Sequence, residues 1–225
     1  MLLKRAVGKA DMCELLAKMF SYPDESLASA LADGSLTDDC VACLEDAGCA
    51  SFEVSAVHAS LADSEGETLS EMRKEYTRLY LSPVNVLVYP YESAFFHVEA
   101  GAAGKPILFR TPITLDVAHC MREAGVAPKN AQKEPCDSIF SEFSFLSYLY
   151  GNAAAAMQRE DGDGEMQWCA RTNGFLESHA LRWMPSFMTK TTELSGGVYR
   201  SFAQAALAFL DVLRSEAASD GGVVR

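Results

Sequence analysis

A chain of 225 residues with 49% hydrophobic and 22% charged residues is long enough to bury a substantial core, and it holds no apolar run near the roughly 20 residues that a bilayer span needs. Its formal charge of -12 disfavours a nucleic-acid partner, whose phosphates it would repel, and suits a basic peptide or protein surface. No charged-then-apolar signal segment stands at Met1 to Ala10, and seven cysteines, an odd number spread through helical patterns, argue against a secreted disulfide framework. A cytoplasmic protein with reduced thiols is expected.

The opening pattern, Val7 to Phe20, places Met12, Leu15, Leu16, Met19 and Phe20 at spacings of three and four, the stripe of an amphipathic helix that Tyr22-Pro23-Asp24 ends. Shorter helices are expected at Glu25–Ala32, Leu36–Ala47 and Phe52–Ala62, divided by Asp33-Gly34 and Gly48. Glu65 to Leu81 reads as the next helix, with Leu69, Met72, Tyr76, Leu79 and Tyr80 inward and the like-charge pair Glu71 and Glu75 on its wet face. Val84 to Tyr89 has strand-like composition, but no partner strand exists elsewhere, so it reads as an extended loop pinned against helices. A short helix over Ala94–Glu99 precedes the break Gly101 to Pro106, a candidate hinge between halves that leaves room for exchange between chains in a dimer. Helices then follow at Ile113–Ala124, Pro135–Ala156, Glu165–Trp183, Pro185–Leu194 and Val198–Glu216, with Glu160 to Gly164 a solvated turn and residues 219–225 a flexible tail. The fold class is all-α: one globular domain over residues 1–218, of about ten helices and without internal repeats.

Enzyme signatures fail at identifiable residues. His97-Val98-Glu99 with Pro135-Cys136 approaches a zinc-deaminase pattern, but Ile139 stands where its second cysteine belongs. Gly101 to Lys105 is too short for a phosphate loop, and Pro106 replaces its magnesium-binding hydroxyl. Cys40-Val41-Ala42-Cys43 with Cys49 makes half a zinc site that no second pair completes. The four histidines (58, 97, 119 and 179) show no ligand spacing and read as surface or capping residues, so no metal or cofactor is expected.

Glu134-Pro135-Cys136-Asp137-Ser138 reads physically as a helix start, with proline at the first helical position and carboxylates at the positive end of the dipole. Followed by Glu142 and the apolar Phe143, Phe145, Leu146 and Leu149, it resembles the E-P-x-D-H signature of the TorD/DmsD family of redox-enzyme maturation chaperones, with Ser138 in the histidine position. Three further blocks look like that family in the same order. Tyr76, Leu79 and Tyr80 lead to Pro83, Pro90, Tyr91, Ser93 and Phe95. Met121 to Gly125 is a helix running into a glycine turn. His179, Trp183 and Pro185 precede an aromatic last helix carrying Tyr199, Phe202 and Phe209.

The resemblance implies an all-helical chaperone without chemistry of its own, which binds the twin-arginine leader and the apo-form of a molybdenum-containing oxidoreductase, aids cofactor insertion and times export. A leader with a basic start and an apolar helical middle needs carboxylates beside an apolar groove. Glu92, Glu134, Asp137 and Glu142 are the candidate carboxylates. Tyr76, Leu79, Tyr80, Tyr91 and Phe95 are the candidate groove walls, and Ser93, Pro135 and Ser138 complete the candidate leader-binding set. Ser138 keeps a neutral hydroxyl where the family histidine would titrate, which bears on any pH-dependent or nucleotide-linked role. Two alternatives stay open: a weak GTP-binding or hydrolysing protein, and an assembly chaperone for a leaderless nitrate-reductase-type subunit. A monomer and a homodimer are equally compatible with the sequence.

Overall fold

The structure is a computed structural model that describes residues 2–82, 85–127 and 134–220. Pro83, Val84 and the last five positions of the expected tail, residues 221–225, lie outside the described residues. Helices α1 (Leu3–Met19), α2 (Glu25–Ala32), α3 (Ser35–Ala47) and α4 (Ser51–Ala62) come first, followed by α5 (Leu69–Tyr76), which continues as a π-helical turn over Thr77–Leu81. Then come α6 (Glu92–Glu99), α7 (Pro112–Glu123), α8 (Ile139–Gln158) and α9 (Gly162–Phe175). A second π-helical turn, Leu176–Ala180, carries α9 into α10 (Leu181–Leu194), and α11 (Val198–Asp220) ends the described chain. Because that turn joins α9 to α10 without a break, the eleven α-helices form ten continuous rods among the described residues. The all-α expectation holds.

Where boundaries depart from the sequence pattern, side-chain caps explain it. Helix α5 starts at Leu69 rather than Glu65 because Thr68 and Glu71 form a reciprocal capping box, the Thr68 N–H donating to Glu71 Oε2 at 2.8 Å. Helix α9 starts inside the expected solvated turn: Asp161 accepts from the Gly164 N–H at 2.9 Å, and Asp163 and Glu165 lie in the first turn, where the dipole favours them. Helix α8 starts at Ile139, with Ser138 as its N-cap, so Pro135 is not in its first turn. Glu75 is not on a wet face either. Its Oε1 accepts from Ser195 Oγ at 2.9 Å and from the Gly196 N–H at 3.1 Å, which closes the turn between α10 and α11.

Helix α1 packs along α8 and against α3, α8 against α9, and α10 against α11. Buried Met12, Leu16 and Met19 of α1 and Phe143, Leu146 and Leu149 of α8 belong to a core cluster that also takes Leu44 of α3, Trp183 and Phe187 of α10, and Tyr199, Phe202 and Phe209 of α11. Residues on both sides of Gly101 to Pro106 therefore share one core, and that break is a loop between α6 and α7. Lys9, buried in α1, has its charge compensated by Glu216 of α11 and lies 5.6 Å from the Tyr150 ring centre. Among the described residues no helix is long and apolar enough to cross a membrane.

Helices α1 and α3 approach closely at Gly8. A Cβ there would lie 2.6 Å from Asp46 Cβ and 2.7 Å from the Asp46 carbonyl carbon, so backbone as well as side chain would have to move. The helix propensity gained by Gly8→Ala, up to about 1 kcal/mol, is outweighed by overpacking of about 1–3 kcal/mol. Urea unfolding should show the variant less stable than the wild type; equal or greater stability would mean that the two helices can separate at little cost.

Candidate functional site

The two sequence blocks that carry the candidate residues, 76–95 and 134–142, are brought together by backbone. Tyr91 and Ser138 form an isolated antiparallel bridge, in which the Glu92 N–H donates to the Asp137 carbonyl at 2.8 Å and the Ile139 N–H to the Pro90 carbonyl at 2.9 Å. That bridge sets the N-termini of α6 and α8 side by side. Asp137 then does for α6 what a local cap would do: its Oδ2 accepts from the Ser93 N–H at 3.1 Å. Ser138 caps α8, accepting from the Ser141 N–H at 3.3 Å and donating to Ser141 Oγ at 2.7 Å. A serine in the position of the family histidine thus has a defined local task.

Beneath the bridge lies a buried polar cluster. Glu92, Asp137, Ser138 and Glu142 are fully buried, and Ser93 nearly so. Glu142 Oε2 accepts from Trp183 Nε1 at 3.0 Å, and Glu92 Oε2 pairs with His179 Nδ1 at 2.8 Å. His179 Nε2 faces Asp116 of α7 at 3.4 Å. Among the described residues, Glu92 Oε1, Asp137 Oδ1, Glu142 Oε1 and Ser93 Oγ are buried without a hydrogen-bond partner. Burial, then the negative charge of Glu92, pushes the Glu142 carboxyl well above the usual carboxylate range, so it sits neutral against the indole N–H. For His179 burial acts downward, but hydrogen bonds with Cys120 and Glu92, and then the charge of Glu92, outweigh it and raise the imidazole to about 10. The cluster therefore favours the protonated forms of His179 and Glu142. A sequence reading that took His179 for a surface or capping residue is corrected here. Its spacing of four from Trp183, on one helical face, was the available signal.

The expected groove walls are core. Tyr76, Leu79, Tyr80 and Phe95 are buried, and of the expected walls Tyr91 alone is half-buried. The Leu79 carbonyl accepts from the Leu87 and Val88 N–H groups at 3.1 and 3.0 Å, which pins the extended segment against the helices as its composition suggested. Tyr80 lies 5.0 Å from Tyr76 and 5.6 Å from Phe187 between ring centres and hydrogen-bonds Thr191 Oγ1 at 3.2 Å, while Phe95 packs 5.7 Å from Trp183. Pro135 is buried as well.

Of the candidate set, only Tyr91 and Glu134 are half-buried and reach the surface. The Tyr91 hydroxyl is hydrogen-bonded to the Glu134 carboxylate, and Glu134 Oε1 is buried without a partner among the described residues. Desolvation raises the Glu134 carboxyl, against the lowering effect of the Tyr91 hydrogen bond. Tyr76 is close enough that Glu134 raises its phenol further, after burial, and the exposed Tyr22 ring stands 5.5 Å from the Tyr76 ring, edge to face. Tyr91 and Glu134 make a half-buried aromatic and acidic mouth beside the buried cluster; Tyr76 connects them to the exposed Tyr22 ring, over which Arg73 already stands, 5.6 Å from the ring centre.

Cys40, Cys43 and Cys49 are free thiols, each pushed up to about 12, first by burial. Among the described residues no group of three or more His, Cys, Asp or Glu side chains is placed to hold a metal ion.

With this geometry in place, comparison with known proteins is informative. The family model described as nitrate reductase delta subunit matches residues 45–189, more than half of the chain and all of the residues that build the mouth and cluster. The chain belongs to that family. The nitrate reductase delta subunit family is one of redox-enzyme maturation chaperones of the TorD/DmsD kind, so the resemblance carried by the four motif blocks holds. No curated protein matches the chain. Among solved structures, a crystal structure from Archaeoglobus fulgidus assigned as a redox enzyme maturation protein is similar, with 22% identity, a TM-score of 0.49, and coverage of 91% of this chain and 93% of that one.

The buried cluster makes stability depend on pH with a defined sign. His179 has a folded pKa of about 10, above its ordinary 6.5, so its contribution is complete below about pH 6.5 and is lost as pH rises towards 10. Glu142 is an acid raised by folding, so its ionisation also destabilises the folded state as pH rises above its ordinary 4.5. Both act in one direction. Urea unfolding at pH 6 and 7.5, a window that ends about one unit below the unfolded-state thiol pKa near 8.5, should show lower stability at the higher pH. The double variant His179→Gln, Glu142→Gln should show a shallower dependence, whereas an unchanged slope would locate the pH sensitivity elsewhere.

Proposed function

We propose that this chain is a chaperone, without catalysis of its own, that binds the twin-arginine leader and the apo-form of a molybdenum-containing oxidoreductase subunit at the mouth formed by Tyr91 and Glu134. Membership in the nitrate reductase delta subunit family supports a molybdoenzyme subunit as client. The observation that carries the site is Glu134. Its carboxylate is partly withdrawn from water, one buried oxygen lacks a partner, and its hydrogen-bonding neighbour is the neutral Tyr91 hydroxyl. Such a group is held above its ordinary pKa until a cation arrives, and an arginine side chain supplies both the charge and the N–H donors.

Beside that carboxylate, Tyr91 offers a ring face for a guanidinium or for the first apolar side chains of the leader, while the Tyr22 ring is already covered by Arg73. The net charge of -12 adds long-range attraction for a basic segment. Tyr76, Leu79, Tyr80, Phe95, Glu92, Asp137 and Glu142 belong to this reading as the rigid support that fixes Tyr91 and Glu134. Ser93, Pro135 and Ser138 fix the bridge itself. In this reading the client is met in the cytoplasm, by a chain that acts as one unit over residues 1–218.

Glu134→Gln keeps the size of the side chain and removes its charge. A hydrogen bond to a charged group contributes about 1.5–3 kcal/mol, so the affinity for a synthetic leader with two adjacent arginines should fall roughly 10-fold or more. Stability at pH 7 should hold or rise, because the folded state no longer desolvates an ionised carboxylate. Calorimetric titration with the arginine leader and with its twin-lysine counterpart checks this. Unchanged affinity in Glu134→Gln would remove the mouth as the leader site. Failure of the wild type to bind any leader, together with capture of a leaderless molybdoenzyme subunit, would move the protein to the nitrate-reductase-type branch.

A further inference from the structure

An acidic concave surface lies between α1 and α3. A groove of about 560 Å³ runs between the antiparallel α1 and α3 from Gly8 and Asp46 at one end to Lys18 and Asp39 at the other. Its floor is Leu15, Ala42 and the half-buried Cys43, and its rims carry Asp11, Glu14, Asp39 and Asp46 against a single ammonium, Lys18. The cations nearby are already engaged: Lys18 is bound to Asp24, and Lys4 pairs with Asp46 at 2.7 Å. Leu3 and Val7, 42% and 41% exposed, continue the Asp11 and Leu15 row of α1 at four-residue spacing, so an apolar strip leads into the groove. The carboxylates converge on the floor, since Asp11, Asp39 and Asp46 all add to the upward shift that burial imposes on the Cys43 thiol.

We propose that the α1–α3 groove is a second docking surface, which takes an amphipathic helix of a protein partner with one apolar row and a flanking row of Arg or Lys. The geometry is that of helix-in-groove recognition: the apolar row lies over Leu3, Val7, Leu15 and Ala42, and the cationic row meets the acidic rims. Charge complementarity selects this occupant, because Lys4 already opposes Asp46, and an acidic or neutral helix would add no cation to the Asp11, Glu14 and Asp39 carboxylates of the rims. None of the groove residues belongs to the mouth at Tyr91 and Glu134, so the two surfaces can be occupied together, and the assignment rests on the chaperone reading only for the identity of the partner.

The test uses the full chain and a designed, fluorescein-labelled 18-residue helix with leucine on one face and lysine beside it, read by anisotropy, with the equivalent leucine–glutamate helix as control. The wild type should bind the lysine helix and not the glutamate helix. Asp11→Asn with Asp39→Asn, and separately Ala42→Trp, which fills the floor, should each weaken binding about tenfold, with circular dichroism melts confirming folding. A charge-matched control, Asp63→Asn with Asp211→Asn on the α4–α11 surface, should leave affinity unchanged. Equal loss in the control would reduce the effect to diffuse electrostatics and overturn the proposal, as would full binding in both groove variants. Loss of lysine-helix binding in Glu134→Gln would assign the peptide to the mouth and overturn it too. Leader titration of the groove variants separates this outcome from the first reading: a leader that still binds leaves the mouth intact whatever the groove does.

Discussion

The structure around the candidate site depends on one short contact, the two-hydrogen-bond bridge between Tyr91 and Ser138. Two helix N-termini set side by side would put unsatisfied N–H groups and positive dipole ends together in the interior. The sequence answers with carboxylates and a hydroxyl placed at those ends: Asp137 and Ser138 cap α6 and α8, and Glu92 and Glu142 sit in the first turns. The acids bring their own desolvation cost. It is offset from the far side, where the turn Leu176–Ala180 delivers His179 to Glu92 and α10 delivers Trp183 to Glu142.

The two π-helical turns serve this arrangement in different ways. In the first, Thr77–Leu81, the widened turn accompanies a Leu79 carbonyl that holds the Leu87–Val88 segment. In the second, Leu176–Ala180, the widened turn directly precedes Leu181, whose carbonyl a proline at 185 leaves without its usual donor. It lets one continuous rod pack against α8 through α9 and against α11 through α10.

How much of this was legible in the sequence follows from which interactions are local. Apolar periodicity and Gly/Pro punctuation placed most of the rods within a few residues, and the all-α class followed from them. The corrected boundaries at Leu69, Ile139 and Gly162 are those where a side-chain cap overrides periodicity, and the Thr68-to-Glu71 spacing was readable had capping been given precedence. The candidate site was legible as a grouping, because segments 76–95 and 134–142 do meet, but not as a surface. That Tyr80 and Phe95 pack into the core rather than line a groove depends on Phe187 and Trp183, roughly 90 to 110 positions away. His179 was missed because a lone histidine gives no hint of a partner at Glu92.

A burial pattern of this kind constrains how such a molecule can respond to a ligand. Tyr91 belongs to the bridge through its backbone and to the mouth through its ring and hydroxyl, and Glu134 lies three residues before Asp137 on the same segment. A cation bound to Glu134 would lift the penalty that now raises that carboxyl and would also lower the repulsion between Glu134 and Asp137. Both changes favour the closed bridge over any state in which the segment leaves α6. Binding at the mouth and order in the buried cluster are then two readings of one equilibrium, and by linkage a ligand selective for the closed state must stabilise the helices that the bridge joins.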